Sequence, residues 1–265
     1  MSEQFVMERL ADNLTRLRLG RTRDILPEMI KTAESEDWSY LTLLDRLTGE
    51  EVVGKEQKRI SSALRGSGLP YVKTIDEFDF TFQPGIERRQ VMNLFDCSFI
   101  ERRENVIFLG PPGVGKTHLA AALGYEWVQR SYSVLFIPTF KLVGGLLRAK
   151  RDYELERELR RLDRFQVVIL DDLGYVQQSR EEMEVLFTFL AERYERRSVV
   201  ITSNLVFSQW DQIFKDPLTT AAAIDRVVHH SRIIEFGADM SSVRAEEAAR
   251  RQQLLAPQPA TTGEG

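Results

Sequence analysis

Gly110-Pro111-Pro112-Gly113-Val114-Gly115-Lys116-Thr117 stands between an apolar segment, residues 105–109, and an alanine-rich segment that begins at His118. The octet matches the pattern G-x-x-x-x-G-K-[ST], in which glycines let backbone N–H groups turn inward onto phosphate oxygens. The segment before it predicts a buried strand and the segment after it predicts a helix, whose N-terminus adds partial positive charge. Strand, loop and helix in this order predict a phosphate-binding site in an α/β domain.

The last two residues of the octet indicate how a nucleotide and its metal ion would be bound. We expect Lys116 to reach the β- and γ-phosphates of ATP and the Thr117 hydroxyl to coordinate Mg²⁺. His118 is grouped with the nucleotide-binding residues because it follows directly, on the first helical turn, and it has no expected catalytic role. The loop therefore predicts ATP and Mg²⁺ binding, with ATP hydrolysis as the expected activity.

Apolar runs elsewhere in the chain predict the rest of the sheet. Besides residues 106–109, buried strands are predicted at residues 134–137, 167–170, 199–202 and 232–236. The intervening segments are long enough for crossover helices, which predicts a parallel sheet with helices on both faces.

Glycines and helical leucine spacing predict the domain organisation. Residues 5–68 are predicted to form short helices punctuated by Gly20, Gly49 and Gly54. A Gly-Ser-Gly-Leu-Pro stretch at 66–70 marks the predicted boundary. We expect a helical domain at 1–69, an α/β domain at 70–256 and a disordered tail at 257–265. An alternating segment at 78–82 and a helical run at about 87–101 are also predicted.

Two carboxylates follow the predicted strand 167–170. In phosphate-loop enzymes such a strand lies beside the loop, so its C-terminal end meets the nucleotide. We expect Asp171 to hold Mg²⁺ through its water shell and Asp172 to orient or deprotonate the attacking water. An Asp-Asp pair could instead cap a helix, and the upstream loop favours the catalytic interpretation.

Polar residues in the C-terminal third supply further candidates. Asn204 follows an apolar strand and could hydrogen-bond the γ-phosphate and the attacking water, although a simple turn would also explain it. Arg226 could pair locally with Asp225, or could enter a neighbouring subunit's site and stabilise charge on the γ-phosphate. His229 and His230 have no partner ligands at metal spacing, so the sequence predicts no zinc site.

Composition limits the remaining classes of function. The chain has 265 residues, a formal net charge of −4 and one cysteine, Cys97, which fits a reducing cytoplasm. No apolar run is long enough to span a membrane and the N-terminus lacks the pattern of a signal peptide. DNA binding would need local basic patches on this mildly acidic body.

Several segments resemble the AAA+ ATPases, and within them the IstB-like transposition helpers and the related DnaC-type helicase loaders. The segments that carry the resemblance are Thr74 to Phe80, Asp171 to Tyr175, Arg193 to Ser198, Ile201 to Leu205, Phe207 to Trp210 and Asp225 to His230. The resemblance covers nearly the whole chain. It implies an AAA+ fold without the C-terminal helical lid, with Lys116 and Thr117 as the first nucleotide motif and Asp171 and Asp172 as the second.

The same resemblance implies further roles. Asn204 would be the first sensor, Arg226 a trans-acting finger, and Arg244 a second sensor that binds nucleotide, with Val243 where the family has tyrosine. It also implies duplex DNA, a homo-oligomeric ring or spiral and a transposase as partners. Two basic patches could contact DNA. The first patch comprises Arg16, Arg18, Arg21, Arg23, Lys55, Lys58, Arg59 and Arg65, and the second comprises Lys141, Arg148, Lys150 and Arg151.

The leading functional hypothesis is an ATP-dependent, DNA-binding helper that oligomerises on target DNA and activates the transposase of an insertion sequence. A helicase loader of the DnaC type is the alternative with the same ATPase core. Two further alternatives use the same loop. A small-molecule kinase would need a substrate pocket and an arginine-rich lid over the phosphates. A structural switch would bind ATP without hydrolysing it.

Overall fold

The computed structural model describes residues 3–71, 74–80, 86–174, 179–210, 213 and 217–237. For residues 217–220 it describes the backbone alone. Contacts divide the chain into two compact units, Met1–Ala63 and Leu64–Gly265. Within the described parts, no helix combines the length and apolar character needed to cross a membrane. The expected tail at 257–265 and the region of the expected missing lid lie outside the described residues.

The first unit contains α1 (Glu3–Arg16), α2 (Gly20–Ser35) and most of α3 (Tyr40–Gly66). Leu14, Leu26 and Leu47 form its core. The prediction that Gly49 and Gly54 interrupt the helical region was wrong, because both lie inside α3. A glycine inside a helix costs about 1 kcal/mol relative to alanine, which a helix of 27 residues with a packed face tolerates.

The second unit alternates strands and helices. Its elements are α4 (Arg88–Met92), α5 (Ser98–Glu101), β1 (Asn105–Leu109), α6 (Lys116–Gln129), β2 (Val134–Pro138), α7 (Thr139–Arg151), α8 (Leu155–Leu162), β3 (Val167–Leu173), α9 (Arg180–Arg193), β4 (Ser198–Ser203), α10 (Pro217–Val228) and β5 (Ser231–Glu235). Short 3₁₀ turns occupy Ile75–Glu77 and Phe207–Gln209.

The five strands form one sheet in the order β2-β3-β4-β1-β5, and every neighbouring pair is parallel. All five residues of β1 are buried, as expected for a strand covered on both faces. The prediction of a parallel α/β domain preceded by helices is therefore confirmed. Because the strands are parallel, their carboxyl ends share one edge of the sheet and their amino ends share the other.

Two local predictions differ from the structure. The run expected at about 87–101 is split into α4 and α5, with Cys97 between them in a left-handed conformation, φ +60°. In the segment predicted to alternate, residues 78–80 follow a 3₁₀ turn, and residues 81 and 82 lie outside the described residues.

Strand β3 continues through both aspartates instead of ending at Leu170. Leu170 pairs with Ile201 and Leu173 with Ser203, so Asp171 and Asp172 together oppose the single residue Thr202. Asp172 has φ +57° at this bulge. An extra residue in one strand bends it locally and re-aims the side chains beside it.

Candidate nucleotide-binding site

The loop at the carboxyl end of β1 requires glycine at two positions. Gly115 caps α6 with φ +100°, which favours a residue without a Cβ. Gly110 has φ +151°, and a Cβ there would lie 2.6 Å from the Cβ of Phe236. The chain can therefore turn tightly from β1 into α6, whose N-terminal N–H groups suit an anion.

Lys116 is held at this loop. Its side-chain Nζ donates hydrogen bonds to the carbonyl oxygens of Gly110 and Pro111, both at 2.8 Å. Phosphate oxygens are charged acceptors and form stronger hydrogen bonds with an ammonium group than neutral carbonyls do. The lysine is thus placed where a bound phosphate could recruit it.

Asp171 is the centre of a buried hydroxyl network. Its Oδ1 accepts hydrogen bonds from Thr117 Oγ1 at 2.9 Å and Thr202 Oγ1 at 2.6 Å. Thr139 Oγ1 donates to its main-chain carbonyl at 2.9 Å. Burial raises the pKa of the Asp171 carboxyl, the Asp172 charge raises it further, and the hydrogen bonds from Thr202 and Thr117 oppose the rise. The phosphate loop and β3 are therefore linked directly by the hydrogen bond between Thr117 and Asp171.

Thr202 and Thr139 were not predicted from the sequence. Thr202 is fully buried in β4, and besides its bond to Asp171 its hydroxyl accepts the Asp172 N–H at 2.9 Å. A threonine at the end of the predicted buried strand 199–202 was the available indication, since a buried hydroxyl needs a hydrogen-bonding partner. Thr139, the first residue of α7, gave no comparable indication.

The two other polar candidates lie at the same edge of the sheet. Asp172 is exposed, with its backbone fixed by Thr202. Asn204 follows the last residue of β4, which pairs with Leu109 at the end of β1. The buried Oδ1 of Asn204 has no hydrogen-bond partner among the described residues. Asn204 therefore follows a strand that neighbours β1, and Asp172 follows Asp171, which is hydrogen-bonded to Thr117 of the loop.

Arg226 lies at the opposite edge. It occupies the last turn of α10, where the Val227 carbonyl accepts a hydrogen bond from the side chain of Asn105, the first residue of β1. The Arg226 guanidinium stacks over the Phe187 ring at 4.6 Å, and its buried Nη1 has no hydrogen-bond partner within the described part of the chain. The sequence did not indicate the contact with Phe187.

His118 belongs to an aromatic cluster beside the loop. Its ring packs edge-on against Phe78 at 5.5 Å and against Tyr71 at 6.3 Å. Phe78 is buried and would contact a Cβ at Gly115 at 3.1 Å. Arg244, the remaining nucleotide-binding candidate, lies outside the described residues.

The expectation that His229 and His230 lack ligand partners is contradicted by the structure. Glu195 Oε1 lies 3.4 Å from His230 Nε2. The sequence could not reveal this neighbour, because the parallel pairing of β4 and β5 with β1 brings the two turns together.

Local carboxylates neutralise much of both basic patches. In the first, ion pairs join Arg21 to Glu50, Arg23 to Asp24, Lys55 to Glu51 and Arg59 to Glu56. In the second, ion pairs join Lys150 to Glu184 and Arg151 to Glu181. The patch members without an ion pair among the described residues are Arg16, Arg18, Lys58, Arg65, Lys141 and Arg148.

The donor set at Thr117 and Asp171 fits Mg²⁺. A hydroxyl and a carboxylate oxygen are hard ligands of the kind this ion prefers, and their 2.9 Å separation lets both face one ion. Lys116 beside them supplies positive charge for the phosphates. The residues present therefore suit a magnesium nucleotide.

Comparison with known proteins decides the family. The family model described as IstB-like ATP binding protein matches residues 12–250 of the chain. The chain belongs to this family. The match includes most of the helical first unit, the phosphate loop and the segment around Arg226, and it identifies the chain as an IstB-type protein that binds ATP.

Two relatives illustrate how far the family likeness extends. An insertion sequence IS21 ATP-binding protein of Pseudomonas aeruginosa is 39% identical, covering 92% of this chain and 92% of the relative. An insertion sequence IS5376 ATP-binding protein of Geobacillus stearothermophilus is 37% identical, covering 93% of this chain and 98% of the relative.

Solved structures share the fold of this IstB-family chain. The crystal structure of DnaI gives a TM-score of 0.53 at 23% identity, covering 62% of this chain and 90% of that chain. AMPPCP-bound DnaA from Aquifex aeolicus gives 0.52 at 15% identity, covering 73% and 58%. At such identities the likeness concerns the fold alone, and it supports the predicted parallel α/β architecture.

Replacement of Asp171 by asparagine is expected to stabilise the nucleotide-free protein. The pKa of the Asp171 carboxyl is higher in the folded protein than in the unfolded chain. This carboxyl therefore stabilises the fold most at a pH below its unfolded pKa, and the stabilisation is lost as the pH rises through its folded pKa. Asparagine accepts the same hydroxyl hydrogen bonds without a buried charge. We expect the neutral-pH melting temperature to rise by about 2–4 °C, equivalent to about 1 kcal/mol.

Magnesium and ATP should reverse this ranking, because Asp171 is the expected magnesium ligand and would let MgATP stabilise the wild type more than the variant. Differential scanning fluorimetry with and without the nucleotide measures both effects. Asp12→Asn, which replaces an exposed aspartate on α1, is the control for the loss of one carboxylate. A variant less stable than the wild type without nucleotide would contradict the assigned pKa shift.

Proposed function

We propose that this IstB-family chain is a Mg²⁺-dependent ATPase that assembles on duplex DNA and activates the transposase of its insertion sequence. One observation carries the proposal. Thr117, Asp171 and Thr202 are hydrogen-bonded together at the carboxyl edge of the sheet, whereas Arg226 lies at the amino edge. The arginine that completes each ATP site would therefore come from a second copy of the chain.

In the proposed reaction each residue has a distinct task. Lys116 and the α6 N-terminus bind the β- and γ-phosphates, while Thr117 and Asp171 hold Mg²⁺. When bound between these residues and the phosphates, Mg²⁺ would neutralise part of the phosphate charge. Asp172 orients the attacking water or accepts its proton, and Asn204 hydrogen-bonds the water and the γ-phosphate.

The length of β1 supports a trans role for Arg226. Asn105 and Leu109 are separated by four residue steps of about 3.3 Å, or roughly 13 Å, in an extended strand. Arg226 adjoins the first of these residues and the phosphates would adjoin the last. Arg226 is therefore remote from its own phosphate loop, and we propose that its guanidinium leaves the Phe187 ring on assembly and enters the site of a neighbour, where it would stabilise charge on the γ-phosphate.

The second basic patch offers a DNA surface on α7. Lys141 and Arg148 are exposed, and Phe140 next to them is 61% exposed with Lys141 Nζ 6.0 Å from its ring centroid. Lysine and arginine neutralise backbone phosphates, which gives binding independent of sequence. In the first unit, Arg16, Arg18 and Lys58 remain candidates for the same role.

The relatives support transposition over helicase loading. Proteins 39% and 37% identical along nearly their whole length are named for insertion sequences. The likeness to DnaI concerns the fold at 23% identity. The partner we propose is therefore a transposase.

Assembly on DNA tests the proposed function. Sedimentation velocity should show large complexes when wild-type protein meets duplex DNA and a non-hydrolysable ATP analogue, and small species when either is omitted. A chain that stays monomeric with both ligands would refute the proposal.

The DNA surface is tested in the same assay by a salt titration. The variant Lys141→Ala plus Arg148→Ala should reduce the slope of log affinity against log salt by about 2, one unit for each lost phosphate contact. Lys150→Ala is the matched control, because Lys150 is already paired with Glu184. Equal slopes for all three proteins would show that α7 does not contact DNA.

A further inference from the structure

Glu195, His229 and His230 form an exposed cluster at the amino edge of the sheet. Glu195 belongs to the turn between α9 and β4, and the histidines form the turn between α10 and β5. One ligand atom from each of the three side chains lies within 4.8 Å of the other two. The cluster therefore joins two connections that are far apart in the sequence.

The spacing within the cluster suits a tetrahedral metal ion. Glu195 Oε1 and His230 Nε2 are 3.4 Å apart, and the two imidazole rings meet edge-on with centroids 4.3 Å apart. A zinc ion with ligands at about 2.1 Å in tetrahedral geometry separates two of them by about 3.4 Å. Glu195 Oε1 and His230 Nε2 already have this separation.

Contacts around the cluster hold its members in place. Glu195 has φ +56°, an uncommon conformation for a residue with a Cβ, and its carbonyl accepts a hydrogen bond from Arg103 at 3.1 Å. Tyr194 is hydrogen-bonded through its hydroxyl to His229 Nδ1 at 3.3 Å and stacks on the His230 ring. The His230 carbonyl accepts the Asn105 N–H at 2.7 Å. A hydrogen bond to the second nitrogen of a metal-binding histidine commonly orients the ring.

We propose that Glu195, His229 and His230 bind a divalent transition-metal ion of the zinc class. Two imidazole nitrogens and one carboxylate match the His₂Glu donor set that zinc accepts, with a water molecule as the fourth ligand. Imidazole nitrogen favours zinc, cobalt or nickel over magnesium. The site is separate from the hydroxyl and carboxylate group at the carboxyl edge, which suits Mg²⁺.

A metal ion here would fix the end of the helix that carries Arg226. His229 lies three residues after Arg226, and an ion shared with Glu195 would tie this turn to the one leading into β4. This consequence rests on the proposed function, because it matters only if Arg226 acts in a neighbouring site. Metal binding itself does not depend on that proposal.

Equilibrium dialysis tests the site directly. Full-length protein without an affinity tag and without nucleotide is dialysed against micromolar zinc, and the bound metal is measured by mass spectrometry. We expect one zinc ion per wild-type chain. His230→Gln and Glu195→Gln should each weaken binding by more than about tenfold, since even the loss of a residue that only orients a ligand costs that much.

Glu192→Gln is the matched control, because Glu192 is an exposed carboxylate on the preceding helical turn and pairs with Arg196. It should bind zinc as the wild type does, and circular dichroism should show all variants folded. Two results would overturn the inference: wild-type protein that retains no zinc, or zinc retention unchanged in both ligand variants. Neither result depends on ATP hydrolysis, so a failure here is distinguishable from a failure of the proposed function.

Discussion

Replacement of Lys116 by alanine is expected to weaken ATP binding by roughly 100-fold or more. The ammonium group now bonds two loop carbonyls at 2.8 Å and is buried, so it is already at the loop and would lose little conformational entropy on meeting phosphates. Charge-assisted hydrogen bonds contribute about 1.5–3 kcal/mol each, and two of them correspond to an affinity loss of roughly 100-fold or more. Isothermal titration calorimetry with MgATP measures the change.

Lys150→Ala is the control for the loss of one positive charge, because Lys150 lies on α7 and pairs with Glu184. Its affinity for ATP should match the wild type. Lys116→Ala must also melt as cooperatively as the wild type without nucleotide, which separates loss of binding from loss of folding. Undiminished ATP affinity in a folded Lys116→Ala protein would exclude the loop as the phosphate site.

Replacement of Arg226 by alanine is expected to slow ATP hydrolysis by about a thousandfold, the lower end of the effect of an arginine supplied by a neighbour. ATP affinity should change only a few-fold, because Arg226 lies at the amino edge of its own sheet. Phosphate release at saturating ATP and duplex DNA measures the rate. Arg196→Ala is the control, an exposed arginine paired with Glu192 in the turn after α9.

Stacking on Phe187 offers a simpler role for Arg226, since a cation over an aromatic ring stabilises a fold by about 0.5–2 kcal/mol. On that account, Arg226→Ala would lower the melting temperature and leave hydrolysis per folded molecule unchanged. Measuring both quantities on the same preparation separates the two roles. A hydrolysis rate equal to that of the Arg196→Ala control would exclude a role for Arg226 in the ATP site of a neighbouring chain.

Local patterns made much of the second unit predictable. The phosphate loop requires glycines and a lysine within eight residues, and β1 to β4 each contain a run of at least three apolar residues, so these strands could be located to within a few residues. The edge strand β5 has only Ile233 and Ile234 as apolar residues, and its predicted bounds were one residue too far along the chain. The bulge in β3 was not predictable, because it depends on the register between β3 and β4. Register also brings Thr202 to Asp171, and although a threonine in a buried strand needs a hydrogen-bonding partner, the sequence alone could not identify that partner.

Long-range placement limited the prediction of charged residues. Basic residues were grouped from their neighbours in sequence, but Arg21 pairs with Glu50 across two helices and Arg151 reaches Glu181 on α9. Glu195 and His230 meet for the same reason, since parallel strands bring distant connections to one edge. The helical first unit shows a related limit, because Gly49 and Gly54 resemble helix breaks locally while α3 continues through both.

A mixing experiment tests the shared ATP site most directly. Asp172→Asn chains keep Arg226 but lack the carboxylate proposed to act on water, and Arg226→Ala chains keep that carboxylate but lack the finger. Each variant alone should be nearly inactive with MgATP and duplex DNA. Equal mixing should restore phosphate release to about a quarter of the wild-type rate, the share of interfaces that random assembly completes. A mixture as inactive as its components, although sedimentation shows them co-assembled, would contradict the shared site.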